Sequence, residues 1–136
     1  MPRDVQRILY VEDEDDIRAV ATMALQAVGG FTVTACDSCA AALAAASGAA
    51  ADLLLLDVMM PGRDGPATLA ALRALPCTAD TPVIFMTAKV QAAEIAQLFA
   101  LGSLGVIPKP FDPMGVSSEI RKLWAAAEAS KTAAAS

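Results

Sequence analysis

The fold is decided by one stretch of the sequence, Asp52-Leu53-Leu54-Leu55-Leu56-Asp57-Val58-Met59-Met60-Pro61-Gly62-Arg63-Asp64-Gly65. Its four consecutive leucines carry no charge, which is typical of a strand buried on both faces in the centre of a parallel sheet. Asp57 follows directly, at the carboxyl end of that strand, where open α/β sheets bind their ligands. Pro61 and the two glycines then favour a tight loop. By itself such an aspartate is more often a polar strand end or a helix cap, so the rest of the chain must decide its role.

Composition restricts the class of protein. The 136 residues fit one domain, and 56% of them are hydrophobic, which is enough for a substantial core. A net charge of −5 disfavours nucleic acid as a direct partner. No apolar run approaches the ~20 residues of a membrane span, and the first residues lack the apolar core of a secretory signal. We therefore expect a cytoplasmic protein that binds neither DNA nor membrane.

The three cysteines favour free thiols over a structural or metal role. Three is an odd number, which suits a reducing compartment. Cys36 and Cys39 do match the C-x-x-C spacing of redox proteins, but without the flanking residues that usually accompany it. The chain has no histidine, and Cys77 alone cannot complete the four ligands of a zinc site.

Apolar, β-prone segments alternate with helical ones along the whole chain. The predicted strands are β1 (7–11), β2 (31–36), β3 (51–57), β4 (81–87) and β5 (105–108). The predicted helices are α1 (ending at 28), α2 (capped by Asp37 or Ser38 and ending near 47), α3 (66–75), α4 (about 91–101) and α5 (113–127, capped by Asp112). Five βα units in alternation predict an α/β protein, a three-layer, doubly wound parallel sheet with helices on both faces.

Periodicity predicts which side of each helix faces the sheet. The expected inward residues are Ile17, Val20, Ala21, Ala24 and Val28 in α1; Ile95, Leu98 and Phe99 in α4; and Val116, Ile120, Leu123, Trp124 and Ala127 in α5.

Polar side chains stand at four predicted strand ends, although the apolar runs do not require them. These are Glu12 and Asp13 after β1, Asp57 after β3, Thr87 at the end of β4 and Lys109 after β5. In a parallel sheet these ends lie along one edge, where several carboxylates repel one another unless a cation joins them. Oxygen ligands without nitrogen or sulfur suit Mg²⁺ (or Mn²⁺). An aspartate nucleophile, this cation and a lysine together favour phosphoryl transfer onto a carboxylate.

Each of these residues alone has an ordinary structural explanation, and their combination is what is informative. The segments Ile8-Leu-Tyr-Val-Glu12-Asp13-Glu14, Leu54-Leu-Leu-Asp57-Val-Met-Met-Pro-Gly-Arg-Asp-Gly65, Ile84-Phe-Met-Thr87-Ala88 and Pro108-Lys109-Pro110-Phe111 occur in this order. The chain thereby resembles the receiver domain of bacterial two-component response regulators over residues 7–126. The resemblance implies a flavodoxin-like (βα)5 fold with strand order 2-1-3-4-5. We expect a receiver domain over 5–128 and a flexible Ala/Ser-rich tail over 129–136.

The resemblance also implies roles for the polar residues. Asp57 would be the phospho-acceptor, taking the phosphoryl group from the phosphohistidine of a sensor histidine kinase or phosphotransfer protein. Asp13 and Asp57 would bind the metal, Glu12 would act largely through water, and the backbone carbonyl of Met59 would complete the protein ligands.

Two further residues complete the implied site. Thr87 would bond the phosphoryl group, and Lys109 would contact it, with a cis Lys109–Pro110 peptide. Movement of Thr87 would then bias the surface of α4, β5 and α5, through which a downstream protein would be recognised. On this interpretation the chain is a switch and not an enzyme.

The sequence departs from the family pattern at two places. Val106 stands where receivers commonly carry an aromatic residue in β5, so the usual coupling of the threonine to that ring cannot operate. Met59 and Lys89 flank the expected path of the water that attacks the phosphoryl group, and the apolar Met59 cannot orient it. We therefore expect slow self-dephosphorylation.

Two alternatives stay open at this point. The first is a receiver segment cut from a larger protein such as a hybrid kinase. The second, of a different class, is a flavodoxin-like enzyme that binds a ligand. The five acids over 12–16 disfavour the second, because they would repel a phosphate bound after β1.

Overall fold

The computed structural model describes residues 4–88 and 91–135, with side chains described through residue 130. The strands are β1 (Arg7–Val11), β2 (Thr32–Cys36), β3 (Leu53–Asp57), β4 (Val83–Thr87) and β5 (Gly105–Pro108). The helices are α1 (Asp15–Ala27), α2 (Cys39–Ala49), α3 (Gly65–Arg73), α4 (Ala92–Ala100) and α5 (Val116–Ala135). All strand pairs are parallel, in the order β2-β1-β3-β4-β5. The predicted fold and strand order are confirmed, and the expectation for Lys89 lies outside the described residues.

The four leucines of β3 are the centre of the molecule, as predicted. Each is fully buried, and their side chains alternate between the two layers of the core. Leu53 and Leu55 pack with α1 and α5, whereas Leu54 and Leu56 pack with α2, α3 and α4. Burial on both faces explains why this strand is a continuous apolar run.

The inward face of α1 differs from the predicted one. Ala21, Ala24 and Leu25 are buried, whereas Val20 and Val28 are 47% and 46% exposed. Ala21 and Ala24 therefore lie inward as predicted, whereas Val20 and Val28 do not, because apolar residues extend around more than one side of this helix. The two small alanines let the helix backbone approach the sheet, and the valines are left at the rim.

Two other helices also differ from their predictions. In α4 Leu98 is buried as expected, but the neighbouring Phe99 is 51% exposed, because a nine-residue helix presents only a narrow face to the sheet. In α5 the first helical residue is Val116. Asp112 caps a preceding turn instead, since its Oδ1 accepts the Met114 N–H at 3.0 Å and its carbonyl accepts the Val116 N–H at 2.9 Å.

The C-terminal end of α5 lies further along the chain than predicted. The helix continues to Ala135, through most of the segment expected to be a tail. The flexibility expected of 129–136 stays a prediction. The expected inward residues Val116, Ile120 and Trp124 are buried, and Leu123 packs against them.

Smaller features agree with the sequence. Ser38 caps α2 by accepting the Ala41 N–H at 3.1 Å. All three cysteines are free, with Cys36 and Cys39 buried. Among the described residues, none of the helices combines the length and the apolar character needed to cross a bilayer.

Candidate functional site

The strand ends bring the predicted polar residues to one edge of the sheet. The parallel ladder continues past β1, because the Glu12 N–H donates to the Cys36 carbonyl at 3.0 Å. It continues past β5 as well, where the Lys109 N–H donates to the Thr87 carbonyl at 2.9 Å. Asp57 is the last residue of β3 and lies opposite Met86. These backbone hydrogen bonds fix the positions of the Cα atoms from which the functional side chains extend.

Lys109 joins two carboxylates that are far apart in the sequence. Its Nζ donates to Glu12 Oε1 at 2.8 Å and to Asp57 Oδ1 at 3.2 Å. The side chains of Glu12 and Asp57 are 0% and 2% exposed, and that of Lys109 is 13% exposed. The peptide between Lys109 and Pro110 is cis, as the resemblance implied. One ammonium therefore serves two buried acids.

A third carboxylate completes an acidic cluster. Oxygens of Glu12, Asp13 and Asp57 all lie within 4.8 Å of one another. Oδ1 of Asp13 is buried and has no hydrogen-bond partner in the described part of the chain. An unpaired, buried acceptor beside two like-charged groups is unfavourable without a cation. These hard oxygen donors fit Mg²⁺, which binds through one or two carboxylates and keeps several waters.

Burial dominates the electrostatics of the cluster. It raises the pKa of Glu12 to about 7; the hydrogen bond from Lys109 opposes this shift, and the charge of Asp57 adds to it. Burial likewise raises the pKa of Asp57, partly offset by its contacts with Glu12, Lys109 and the Met59 amide. Although burial lowers the pKa of Lys109, the two acids raise it overall. The cluster thus has more negative charge than its single lysine can balance.

Gly65 positions the backbone of Asp57. Its N–H donates to the Val58 carbonyl at 2.9 Å. A Cβ added here would lie 2.7 Å from the Asp57 carbonyl oxygen and 2.9 Å from the Val58 Cα, which is too close for any side chain. The sequence showed only a turn-forming glycine at this position, and the contact with Asp57 required the structure. The adjacent Asp64 begins α3 by accepting the Ala67 N–H at 2.9 Å.

Thr87 and Met59 both line a second groove at this edge of the sheet. Thr87 is buried at the end of β4 and lines a groove of about 330 Å³ together with Met59, Glu94 and Leu98. The Met59 residue is 54% exposed, and its amide contacts the Asp57 carboxylate. The roles expected for the Thr87 hydroxyl and the Met59 carbonyl stay predictions.

The site is open on the side of α1. A cavity of about 540 Å³ reaches Asp57 and Lys109, and apolar side chains such as Ile17, Val20 and Phe111 line much of its wall. The cavity therefore leads from the surface of α1 to Asp57.

Sequence reasoning missed two side chains next to the cluster. Arg18 of α1 donates from Nη1 to the Glu12 carbonyl at 3.0 Å and pairs with Asp15 at 2.6 Å. Tyr10 lies in β1 beneath Glu12, with its hydroxyl buried. Neither stands at a strand end, so the rule that found the other residues could not find these.

Comparison with known proteins assigns the family. Residues 8–121 match the family described as the response regulator receiver domain. The chain belongs to this family. The receiver domain is 32% identical over 118 residues to the transcriptional regulatory protein CseB of Streptomyces coelicolor, covering 87% of this chain and 49% of that protein. It is 31% identical over 116 residues to the DNA-binding response regulator MtrA of Mycolicibacterium smegmatis, covering 85% and 49%.

A solved structure supports the same assignment. The chemotaxis protein CheY4 of Vibrio cholerae matches this receiver domain with a TM-score of 0.79 and 27% identity, covering 88% of this chain and 98% of that one. The predicted family is thereby confirmed, and nothing in the comparisons supports a flavodoxin-like enzyme.

The curated relatives extend beyond the receiver domain. This chain spans about half the length of CseB and MtrA. Both of those names describe regulators that act on transcription or bind DNA, so the expectation of no direct DNA binding has no support from the comparisons.

Proposed function

We propose that this receiver domain accepts a phosphoryl group on Asp57 from the phosphohistidine of a sensor histidine kinase or phosphotransfer protein, and that this modification switches its protein partners. One observation carries the proposal: Lys109 contacts both Glu12 and Asp57, the two buried members of a cluster of three carboxylates. A structural ion pair would need one acid for one lysine. The excess acid suits a site that binds a divalent cation and a phosphoryl group.

The chemistry follows from the charges of the chain. A carboxylate oxygen of Asp57 attacks phosphorus in line, the new O–P bond forms as the N–P bond breaks, and the electron pair goes to the imidazole nitrogen of the donor. Lys109 neutralises a phosphoryl oxygen from the position where it now contacts Asp57. Asp13, Asp57 and the Met59 carbonyl would hold Mg²⁺ (or Mn²⁺), with Glu12 acting through water, and a cation bound there would supply the remaining neutralisation of charge on the transferred group.

The output of the switch starts at Thr87. Its hydroxyl would turn toward the phosphoryl group and displace the segment after β4. Val106 is partly buried opposite Phe85 and offers no aromatic ring to follow this movement. We infer that backbone shifts carry the signal to the surface of α4, β5 and α5, where a downstream protein binds. The chain in this proposal is a cytoplasmic switch that assists only its own phosphorylation and dephosphorylation.

Acetyl phosphate tests the acceptor directly. Incubation with acetyl phosphate and Mg²⁺ is expected to add one phosphoryl group, seen as an increase in intact mass, and EDTA should prevent it. Asp57→Asn should give no adduct, because an amide oxygen is a far weaker nucleophile than a carboxylate. Asp80→Asn is the matched control, since Asp80 is an exposed aspartate outside the cluster. A wild-type chain that stays unmodified in Mg²⁺, or an adduct that persists in Asp57→Asn, would contradict the proposal.

The lifetime of the adduct should depend on Met59. Its exposed thioether side chain offers no hydrogen bond to an attacking water. Met59→Asn supplies an amide there, and we expect the aspartyl phosphate to hydrolyse about tenfold faster. This is less than the usual effect of a general base, because an amide orients the water without taking its proton. Loss of the mass adduct after the donor is removed measures this rate. Met23→Asn, on the exposed side of α1, is the control. An unchanged rate of hydrolysis in Met59→Asn would contradict a role of Met59 in the lifetime of the adduct.

A further inference from the structure

One hydroxyl of the core lies unpaired below the acidic cluster. Tyr10 is 0% exposed in β1, and its Oη has no hydrogen-bond partner in the part of the chain that the structure describes. A buried donor without a partner costs folding free energy that a phenylalanine at the same position would not. Such a group calls for an explanation other than packing.

The register of the sheet places Tyr10 on the same face as the two central carboxylates. Tyr10 and Glu12 are two residues apart on one continuous strand ladder, so their side chains point to the same side. Leu55 lies opposite Tyr10, and Asp57 is two residues beyond Leu55 on β3. Burial, followed by the charges of Glu12 and Asp57, raises the pKa of Tyr10. The phenol therefore shares one face of the sheet with both acids, and a phenol, whose ordinary pKa is about 10, keeps its proton to donate at neutral pH.

Glu12 is short of donors in this arrangement. Its Oε1 shares Lys109 with Asp57, and its carboxyl group also contacts that of Asp57. Within residues 4–88 and 91–130, the further contact of its Oε2 is a long one of 3.3 Å from the Glu14 N–H. A cation that binds the Asp57 oxygens would end the side-chain contact between Asp57 and Glu12, and a phosphoryl group that draws on Lys109 would remove a donor from Glu12. A buried carboxylate in that position needs another donor.

We propose that Tyr10 is a positioning residue for Glu12, whose hydroxyl donates a hydrogen bond to the Glu12 carboxylate when a divalent cation occupies the acidic cluster. The inference rests on the proposed function, because it requires a cation site there. A donor fixed by the core holds Glu12 in the orientation in which it accepts hydrogen bonds from the waters of the cation. Groups that orient ligands in this way commonly change metal affinity by about tenfold or more.

The Tyr10→Phe variant separates this role from a structural one. Without the hydroxyl, we expect Mg²⁺ to bind about tenfold more weakly by calorimetry. The resistance of the variant to urea should be equal to or greater than that of the wild type, because an unpaired buried group is removed. The matched control is Ser117→Ala, which deletes another buried hydroxyl without a described partner, next to Gly29. That control should leave Mg²⁺ binding unchanged.

A spectroscopic signal reports the hydrogen bond itself. The chain has a single tyrosine, so its ultraviolet resonance Raman doublet arises from Tyr10 alone. Addition of Mg²⁺ to the wild type should change the intensity ratio of the doublet, from the ratio of a phenol without a hydrogen bond to that of a phenol that donates one. Equal Mg²⁺ affinity in wild type and Tyr10→Phe, with an unchanged doublet, would overturn the role of Tyr10 alone. A wild type that binds no Mg²⁺ would overturn the proposed function and this inference with it.

Discussion

Lys109→Met is expected to destabilise the chain by about 3–5 kcal/mol at pH 8.5, the usual cost of removing one partner of a buried ion pair. Methionine keeps most of the length of the side chain, so the loss is one of charge. Glu12 and Asp57 are both buried, and both would lose the ammonium that now lies 2.8 and 3.2 Å away. At pH 6 the loss should be smaller, because Glu12, whose pKa is already raised to about 7, can take up a proton instead. Urea unfolding at the two pH values measures the difference.

Lys122→Met is the control for Lys109→Met. It makes the same change of charge on the exposed side of α5 and should alter stability by less than about 0.5 kcal/mol. A second readout concerns the reaction: Lys109→Met should slow modification by acetyl phosphate about 10²-fold, the usual effect of losing one group that neutralises charge in the transition state. Equal stability of the two variants at pH 8.5 would show that Lys109 does not hold the cluster together.

Sequence reasoning found this site because of a simple rule about parallel sheets. An apolar strand needs no polar residue at its end. Polar residues at such ends therefore stand out as candidate site residues, and here they are Glu12, Asp57, Thr87 and Lys109. The rule also implies that all carboxyl ends lie on one edge, which is how residues 97 positions apart could be expected to meet. It does not say which atoms touch, and that Lys109 contacts two acids at once is a property of the folded chain.

The helices were less predictable than the strands, for a physical reason. In a strand buried on both faces, every side chain is predicted to be inside. A helix rich in alanine and valine has several apolar stripes of similar hydrophobicity, and the sequence does not show which of them packs against the sheet. In α1 the buried face contains Ala21 and Ala24, as predicted, together with Leu25, which the prediction left out. Val20, which was expected inside, lines the cavity that opens onto Asp57.

The residues that sequence reasoning missed act through contacts with backbone or through burial. Gly65 was read as part of a turn, and only the distance to the Asp57 carbonyl shows that the position excludes a side chain. Tyr10 was counted as an apolar strand residue, and its unpaired hydroxyl became visible only with the core around it. Composition and spacing describe neither kind of contact.

The free energy of unfolding is expected to fall as the pH rises from 5 to 8 in the absence of divalent cations. The ordinary pKa of glutamate is 4.5, and that of Glu12 is raised to about 7 by burial. Between these values the folded chain binds more protons than the unfolded chain, so deprotonation favours unfolding. This contribution is fully present below pH 4.5 and is lost through pH 7; at about 1.4 kcal/mol for each unit of pKa, it is at most about 3.5 kcal/mol. The raised pKa of Asp57 acts in the same direction.

Mg²⁺ should reverse this trend, because the cation binds the ionised cluster of the folded chain and not the unfolded chain. At pH 8 millimolar Mg²⁺ is expected to raise the urea midpoint, whereas at pH 5 protonation of Glu12 should weaken the response. Trp124, which is buried in α5, provides the fluorescence signal for unfolding. Glu12→Gln should flatten the pH dependence, and Glu119→Gln on the exposed side of α5 should leave it unchanged. Two results would contradict this account: stability that rises between pH 5 and 8 without Mg²⁺, or equal stabilisation by Mg²⁺ at both pH values. Either would mean that the site does not bind a cation because its carboxylates are buried and close together.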